Sequence, residues 1–474
     1  MKRLLKIAYC VLFLVISMAC ALAMPFNKND GSKQKRALAE FPRLIAENKL
    51  NLSFPKEFED WLQDHIAWRD ELVTFRSRAL AGLQTSSDKQ VILGADGWLY
   101  FQETVPDFTG ESSFTENQLF RLSTVIHEID DALNQKGIPF VVAVAPNKST
   151  IYPEFMPYGY LRRSGPSNAE RLQALQAVQY VNLTELMQSQ VRQDRLLYHK
   201  TDTHWNNHGA RLGAFALLSA IGDATGTSVA LPDLAVEGSV RRDWTGDLSQ
   251  MIYPANTPRD VQYYYSDTEP VYTVKGRMRS LEDLNITTAG GKSSLNLLVL
   301  RDSFSNALIP YLSNAFSNVL YKRQMPLPLL DINNVGAVVL EIVERRLPEL
   351  LSGAPVMMAQ PSAAWENTGG SSSVCAYAIH TSDGVRVWGA ALGTVDRITE
   401  CCVSITGADG SAYYRAFPVW ESKYAEELGI CDANQDGAYS LLLPELPENA
   451  QIQVRFVGDS VLVTKTATIE WIND

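Results

Sequence analysis

Three short stretches of the chain are almost continuously apolar: PFVVAVAP (Pro139–Pro146), SLNLLVL (Ser294–Leu300) and GAVVLEIV (Gly336–Val343). Runs of this length, rich in branched residues, predict strands covered on both faces, as in a parallel sheet. Between them the pattern changes period. ENQLFRLSTVIHEIDDALNQKG (Glu116–Gly137) places apolar residues at helical spacing and stops at a glycine. Helical spacing also marks FPKEFEDWLQDHIAWRDELVTFRSRAL, and VILGADGWLYF reads as strand, Gly-bearing turn and strand. Strands alternating with helices predict an α/β, doubly wound, three-layer domain.

Near Pro355 the pattern shifts to period two. VCAYAIH, VRVWGAAL, RITECCVSI, AYYRAFPV, AYSLLLP, QIQVRFVG and VLVTKTATIEW are separated by turns such as SDG, GADG and NQDG. That spacing predicts an all-β, Ig-like sandwich. The stretch between, LSGAPVMMAQPSAAWENTGGSSS, is rich in Gly, Ser and Pro. The expected organisation is a targeting segment over 1–24, an α/β domain over 25–354, a linker over 355–372 and a β module over 373–474. On this reading a chain ended near Ala354 keeps its core.

With 474 residues, two domains are the default. A net charge of −11 with no basic cluster excludes a nucleic-acid backbone as partner. The start, MKRLLKIAYCVLFLVISMACALAMP, has basic residues, an apolar run from Ile7 to Met24 and a small-residue ALA site. It predicts an extracytoplasmic protein with either a cleaved signal or a retained anchor. Cys375, Cys401, Cys402 and Cys431 fall in the last quarter, with no CxxC spacing and no nearby His, so they carry no catalytic reading. Adjacent Cys401 and Cys402 point to opposite faces of a strand. DANQDG (Asp432–Gly437) begins like a calcium loop, but its twelfth position is Leu443 instead of the required Glu, and a hairpin turn fits better.

The chemistry gathers at strand ends. Just past SLNLLVL comes RDSFSNAL, with Ser303 ahead of a helix-capable stretch, where its N–H and the helix start can face an oxyanion. A serine in that place is also a common N-cap. YHKTDTHWNNHG supplies what a nucleophilic serine needs: His204 as base and Asp202 to orient it. The Asp-x-His spacing lets the carboxylate reach Nδ1 while Nε2 faces outward. From Gly209 to Ile221 the sole charged residue is Arg211, which predicts a buried helix fixing this loop, with Trp205 as a wall of the site.

DTHWNNHG followed a hundred residues later by RDSFSNAL, together with FEDWLQDHIAWRDEL, GADGWLYF, APNKSTIYPE, DWTGDLSQM and LEIVERRL, resembles the SGNH-hydrolase-like domain of the alginate O-acetyltransferases AlgJ and AlgX and the DHHW proteins. The resemblance covers roughly Phe54 to Leu350. It implies a three-layer α/β/α fold of permuted strand order, with Ser303 as nucleophile, His204 as base and Asp202 as orienting acid. It further implies an extracytoplasmic O-acetyltransferase; a Ser, His and Asp mechanism itself calls for no cofactor. The acetyl group would come from a membrane-bound O-acyltransferase and pass through an acetyl-serine to a cell-surface or exported polysaccharide.

Arg301 stands where ordinary SGNH esterases carry Gly, so the first oxyanion donor is expected from the Ser303 backbone. Asn147 and Lys148, ending PFVVAVAP, are candidates to donate to the oxyanion or hold sugar, or else to cap a turn. Arg345 and Arg346, past GAVVLEIV, are candidates for an anionic sugar or a plain charged strand end. In the β module Trp388, Tyr413, Tyr414 and Trp420 are available to stack on sugar rings or to fill a core. A metal held by His199, Asp202, His204 and His208 is the rival for the histidine cluster, without an HExxH or CxxC beside it. The other rivals are a carbohydrate acetylesterase and a non-catalytic glycan-binding scaffold, for which a complete Ser, His and Asp set has no use.

Overall fold

The computed structural model describes residues 2–24, 39–46, 49–175, 178–192, 194–365, 370–430 and 435–472. The N-terminal segment forms helix α1 (Lys2–Ala23), several of whose side chains lie outside the described residues. Among what is described, no helix is long and apolar enough to cross a membrane. The helical spacing after Phe54 resolves into two helices, α2 (Phe54–His65) and α3 (Arg69–Ala81), broken at Trp68, whose φ of 56° is left-handed.

The apolar runs are strands of one seven-stranded sheet. Its members are β1 (Phe140–Ala145), β2 (Gln179–Val181), β3 (Thr273–Lys275), β4 (Asn285–Ala289), β5 (Ser293–Leu300), β6 (Phe316–Lys322) and β7 (Ala337–Val343), in the order β2-β1-β7-β5-β6-β4-β3. The first five in that order run parallel, and β4 and β3 are antiparallel additions at one edge.

Alternation along β1 and β7 separates two cores. Val141, Ala143, Val339 and Val343 face helix α5 (Asn207–Thr225), whereas Val142, Val144, Val338 and Leu340 face helix α4 (Glu116–Asn134). This is the expected three-layer α/β/α arrangement, and it explains why both central strands are buried along their whole length. Each helix starts where its sequence says. Thr115 and Gln118 close a capping box on α4, and the Asn206 side chain caps α5 by accepting from the His208 and Gly209 N–H groups.

The C-terminal part forms two sheets that bury a common core. Strands β8 (Val374–Thr381), β9 (Gly384–Ala391), β10 (Glu400–Gly407), β11 (Gly410–Arg415), β12 (Ala438–Leu443), β13 (Gln451–Val457), β14 (Val461–Val463), β15 (Ala467–Thr468) and β16 (Glu470–Trp471) order as β12-β9-β8-β16 and β11-β10-β13-β14, with β15 on β13. Val387 and Leu441 of one sheet share their core with Val403 and Val454 of the other.

The two parts are not loosely tethered. Phe417 and Val419 lie in the same core as α4, Leu347 and Met357, so the α/β core does not end at Ala354. Arg121 donates to the Pro418 carbonyl at 2.7 Å, Thr124 to that of Ile398 at 2.7 Å, and Arg415 grips both oxygens of Glu128 at 2.9 Å. The expected linker is stitched to both sides: Val356 pairs with Pro328, Met358 with Leu442 and Pro361 with Tyr414.

Trp388 and Trp420, proposed for stacking on sugar, are 0% and 6% exposed and pack edge-to-face on each other, so they are core residues. Tyr413 is half-buried against Trp365, and Tyr414 is half-buried beside the module's core. Cys375, Cys401 and Cys402 are free thiols. Cys431 and Asp432 to Gln435, apart from Gln435 itself, lie outside the described residues, and Asp436 of that turn pairs with Arg121 at 3.8 Å.

Candidate active site

Three parallel strands end at one rim of the sheet, and their following residues are those singled out in the sequence: Asn147 and Lys148 after β1, Ser303 after β5, and Arg345 after β7. The fourth contributor is the loop ahead of α5. A bridge between Tyr198 and Trp205 closes this loop, and the Asn206 N–H donates to the Leu197 carbonyl at 2.9 Å. Gly209 makes this closure possible, because a Cβ there would sit 2.3 Å from the Leu197 oxygen.

The loop delivers Asp202 and His204 to Ser303. The Ser303 hydroxyl is 2.9 Å from His204 Nε2, and His204 Nδ1 is 2.7 Å from Asp202 Oδ1. An ionised carboxylate only accepts, so the proton sits on Nδ1 and Nε2 is free to accept from the serine. Burial alone would raise Asp202. The bond and charge of His204 outweigh it and hold the carboxyl well below its ordinary range. Burial pulls His204 down, but the Asp202 bond and charge and the Asp247 charge leave it above its ordinary value.

Asp202 has a full set of donors. Oδ1 accepts from the His204 N–H at 3.0 Å as well as from Nδ1, and Oδ2 accepts from Trp244 Nε1 at 2.9 Å and the Asp247 N–H at 3.1 Å. Trp244 in turn stacks flat on buried His199 at 4.8 Å, and burial lowers that imidazole to about 4, keeping it neutral.

Sequence reasoning missed Asp247. Its Oδ2 lies 3.7 Å from His204 Nδ1 and accepts from Thr203 Oγ1 at 2.6 Å, while that hydroxyl lies 3.0 Å from the same Nδ1. A second carboxylate therefore faces the imidazole. Gly246 permits the approach, since a Cβ there would lie 2.2 Å from the Thr201 oxygen. The signal in the sequence was the DWTGDL stretch, but nothing in its spacing says that it folds back onto Asp202.

Asp302 was missed as well. Its carboxylate accepts from the Phe304 N–H at 2.8 Å and from the Val343 N–H at 2.7 Å, pinning the serine turn to the end of β7. Ser305 is held by buried Glu341 at 2.6 Å.

Several residues expected to touch substrate serve the scaffold instead. Lys148 is buried, and its ammonium donates to the carbonyls of His199 (3.1 Å), Lys200 (3.1 Å) and Asp202 (2.6 Å), so it holds the loop that carries Asp202 and His204 from beneath. Asn147 is fully buried, donating to Asp107 at 2.8 Å and accepting from Arg345 at 3.3 Å. Buried Arg301 ties the turn to the carbonyls of Leu281 (2.8 Å) and Asp283 (3.0 Å) and to Asn306 (2.7 Å). Trp205 is 2% exposed and donates to the Phe304 carbonyl at 3.0 Å, behind the site and not at its wall. Arg345 is half-buried over the Phe304 ring at 5.4 Å and remains beside the triad. Arg346 is taken by both oxygens of Glu349.

The proposed metal set disperses. His208 bonds the Tyr265 hydroxyl at 2.7 Å, and among the described residues the one grouping with metal-ligand spacing is Asp202, His204 and Asp247. These do not fit a cation. All four of their carboxylate oxygens already accept N–H or O–H donors, Asp247 Oδ1 from the Thr203 and Leu248 amides, so a metal would have to displace them.

Residues 91–320 match the family described as SGNH hydrolase-like domain, acetyltransferase AlgX. The matched span includes Asp202, His204, Asp247 and Ser303, and the resemblance read from DTHWNNHG and RDSFSNAL holds; the α/β part has the SGNH-hydrolase-like fold, with further β-rich structure after it. The chain is 29% identical over 138 residues to the probable alginate O-acetylase AlgJ of Pseudomonas putida, covering 28% of this chain and 34% of that protein. To the protein of the same name in Pseudomonas syringae pv. tomato it is 25% identical over 223 residues, 47% of this chain and 54% of the relative. The chain thus spans about half or less of the length of these curated relatives. Among solved structures, Bacillus cereus PatB1 aligns at a TM-score of 0.43 and 20% identity, over 53% of this chain and 95% of that one.

Proposed function

We propose that this protein is an extracytoplasmic O-acetyltransferase that acts on polysaccharide through Ser303, His204 and Asp202. The observation that carries the reading is the unbroken chain from the Ser303 hydroxyl through His204 to Asp202, at 2.9 and 2.7 Å. The SGNH-hydrolase-like match and the likeness to probable alginate O-acetylases support it.

In the first half-reaction Ser303 Oγ attacks the acyl carbonyl while His204 Nε2 takes the hydroxyl proton. Asp202 stabilises the imidazolium that results. The oxyanion is met by the Ser303 N–H and the nearby positive charge of Arg345. Collapse returns the proton to the departing donor oxygen and leaves acetyl-Ser303. In the second half, neutral His204 deprotonates a sugar hydroxyl, which attacks the ester and releases the serine. The acetyl donor would be a membrane-bound O-acyltransferase, and α1 is the segment that would direct the chain to the membrane or hold it there. Water in place of the sugar would make the same site an acetylesterase, the second reading left open by a triad that serves either acceptor.

Ser303→Ala and His204→Ala should each lower p-nitrophenyl acetate turnover on the order of 10³-fold or more, and together little further, since the residues act as a unit. The wild type should carry an acetyl group on the Ser303 peptide in mass spectra. Full turnover by folded Ser303→Ala would end the proposal.

A further inference from the structure

Asp247, whose carboxylate lies 3.7 Å from His204 Nδ1, also lines a cleft of about 820 Å³. The facing wall comes from α3 and the loop after it, through Arg69, Asp88 and Gln90. These residues lie before the segment that matches the family model, so this wall is not part of the matched domain. A second depression, of about 610 Å³, shares Asp88 with the first and extends towards Tyr158 and Tyr160. Each is of the size that holds a small ligand, and both have Asp88 in their lining, so a track for a chain of rings would run over that residue.

Charge and hydrogen bonding define what suits the track. In the first cleft two cations, Arg69 and Arg259, meet two carboxylates, Asp88 and Asp247, so its walls sum to no net charge. Both cations are already engaged: Arg69 lies 3.7 Å from Asp70, and Arg259 donates to the Asp243 carbonyl at 3.1 Å and to Thr245. The second depression adds only Lys89 beside the shared Asp88. What remains are amides and hydroxyls, Gln90, Gln250, Asn256 and Thr257, set among the apolar surfaces of Val73, Met251 and Pro254. Amides that both donate and accept suit sugar hydroxyls, and the apolar patches suit the carbon faces of the rings. In the first cleft an anionic polymer would find no excess of cations over carboxylates, and it would approach a protein of net charge −11.

We infer that this track is the acceptor site and that it takes an uncharged, hydroxyl-rich oligosaccharide instead of a polyuronate. The inference rests on the proposed function for its place beside the triad, but its test does not.

Binding needs no acetyl donor, so it can be measured on the full chain whether Ser303 transfers or hydrolyses. The probes are immobilised hexasaccharides in two sets: neutral gluco-, manno- and galacto-configured chains, and their uronic-acid counterparts. Neutral hexamers should bind at least about tenfold tighter at low ionic strength, the uronates gaining as salt screens repulsion. Asn256→Trp, filling the cleft, should abolish that binding with the thermal transition retained, and Asp88→Lys should shift the preference towards uronates. Uronates preferred by the wild type, no hexamer bound, or binding unmoved by Asn256→Trp would each overturn the inference. None of these outcomes bears on the Ser303 test, and a failed Ser303 test leaves the binding result standing.

Discussion

Lys148→Met removes an ammonium while keeping most of the stem that packs near Trp98 and Tyr100, whose ring centroids lie 5.7 and 5.2 Å from Nζ. Three carbonyls, of His199, Lys200 and Asp202, lose their donor in a buried setting. An acceptor left unsatisfied costs about 1–3 kcal/mol, so the gross loss is about 6 kcal/mol. Against this stands the relief of burying a charge: burial, partly offset by Asp202, Asp247 and Asp260, lowers Lys148 from 10.5 to about 8, equivalent to about 3 kcal/mol at neutral pH. The net expectation is a destabilisation of about 3 kcal/mol, measured by urea unfolding at pH 7. Ester turnover should fall about 10²-fold as well, because the loop that aims His204 loses its anchor.

The pH dependence has a fixed sign. A lysine whose folded pKa is depressed leaves the unfolded chain binding more protons between about 8 and 10.5, so over that window its contribution to stability rises with pH. The wild type should therefore gain on Lys148→Met across that range. A variant within about 0.5 kcal/mol of wild type at pH 7 and equally active would refute the assignment of Lys148 as the loop's anchor.

The base should titrate visibly. His204 must be neutral to accept the Ser303 proton, so ester turnover should fall as pH drops through its raised pKa, and Asp247→Asn, removing an anion that favours the imidazolium, should move that acidic limb to lower pH. A limb that stays put would show that Asp247 does not act on the imidazole. Trp244→Phe keeps a ring over His199 but deletes one of the four donors to Asp202; about fivefold loss in kcat, at little change in the thermal transition, is expected from a bond of about 1 kcal/mol. Turnover should survive exhaustive chelation, and zinc-dependent rescue would reinstate the metal reading. A chain ended at Ala354 should be insoluble or fail to unfold cooperatively, since it bares the core surface covered by Phe417 and Val419 and leaves Arg121 and Glu128 without Pro418 and Arg415. A soluble, cooperative product would show that the α/β part stands alone.

What the sequence determined by itself was whatever physics ties to near neighbours. Strand burial was written in the apolar runs of β1 and β7 and in the second half of β5. Asp202 and His204 could be paired because two residues of extended loop bring a carboxylate onto its imidazole. Ser303 could be placed because a serine after a parallel strand stands at the rim where ligands bind. The tertiary structure decided everything that depends on which polar atoms meet across the sheet. Lys148 and Arg301 look like substrate cations in one dimension, but burial leaves each no choice but to satisfy backbone carbonyls. Asp247 and Trp244 reach the triad over more than forty residues, through a hairpin whose register no local pattern encodes. Trp388 and Trp420 show the same limit for apolar surface: an aromatic side chain suits a sugar face or a core equally well, and only the packing of its neighbours selects between them.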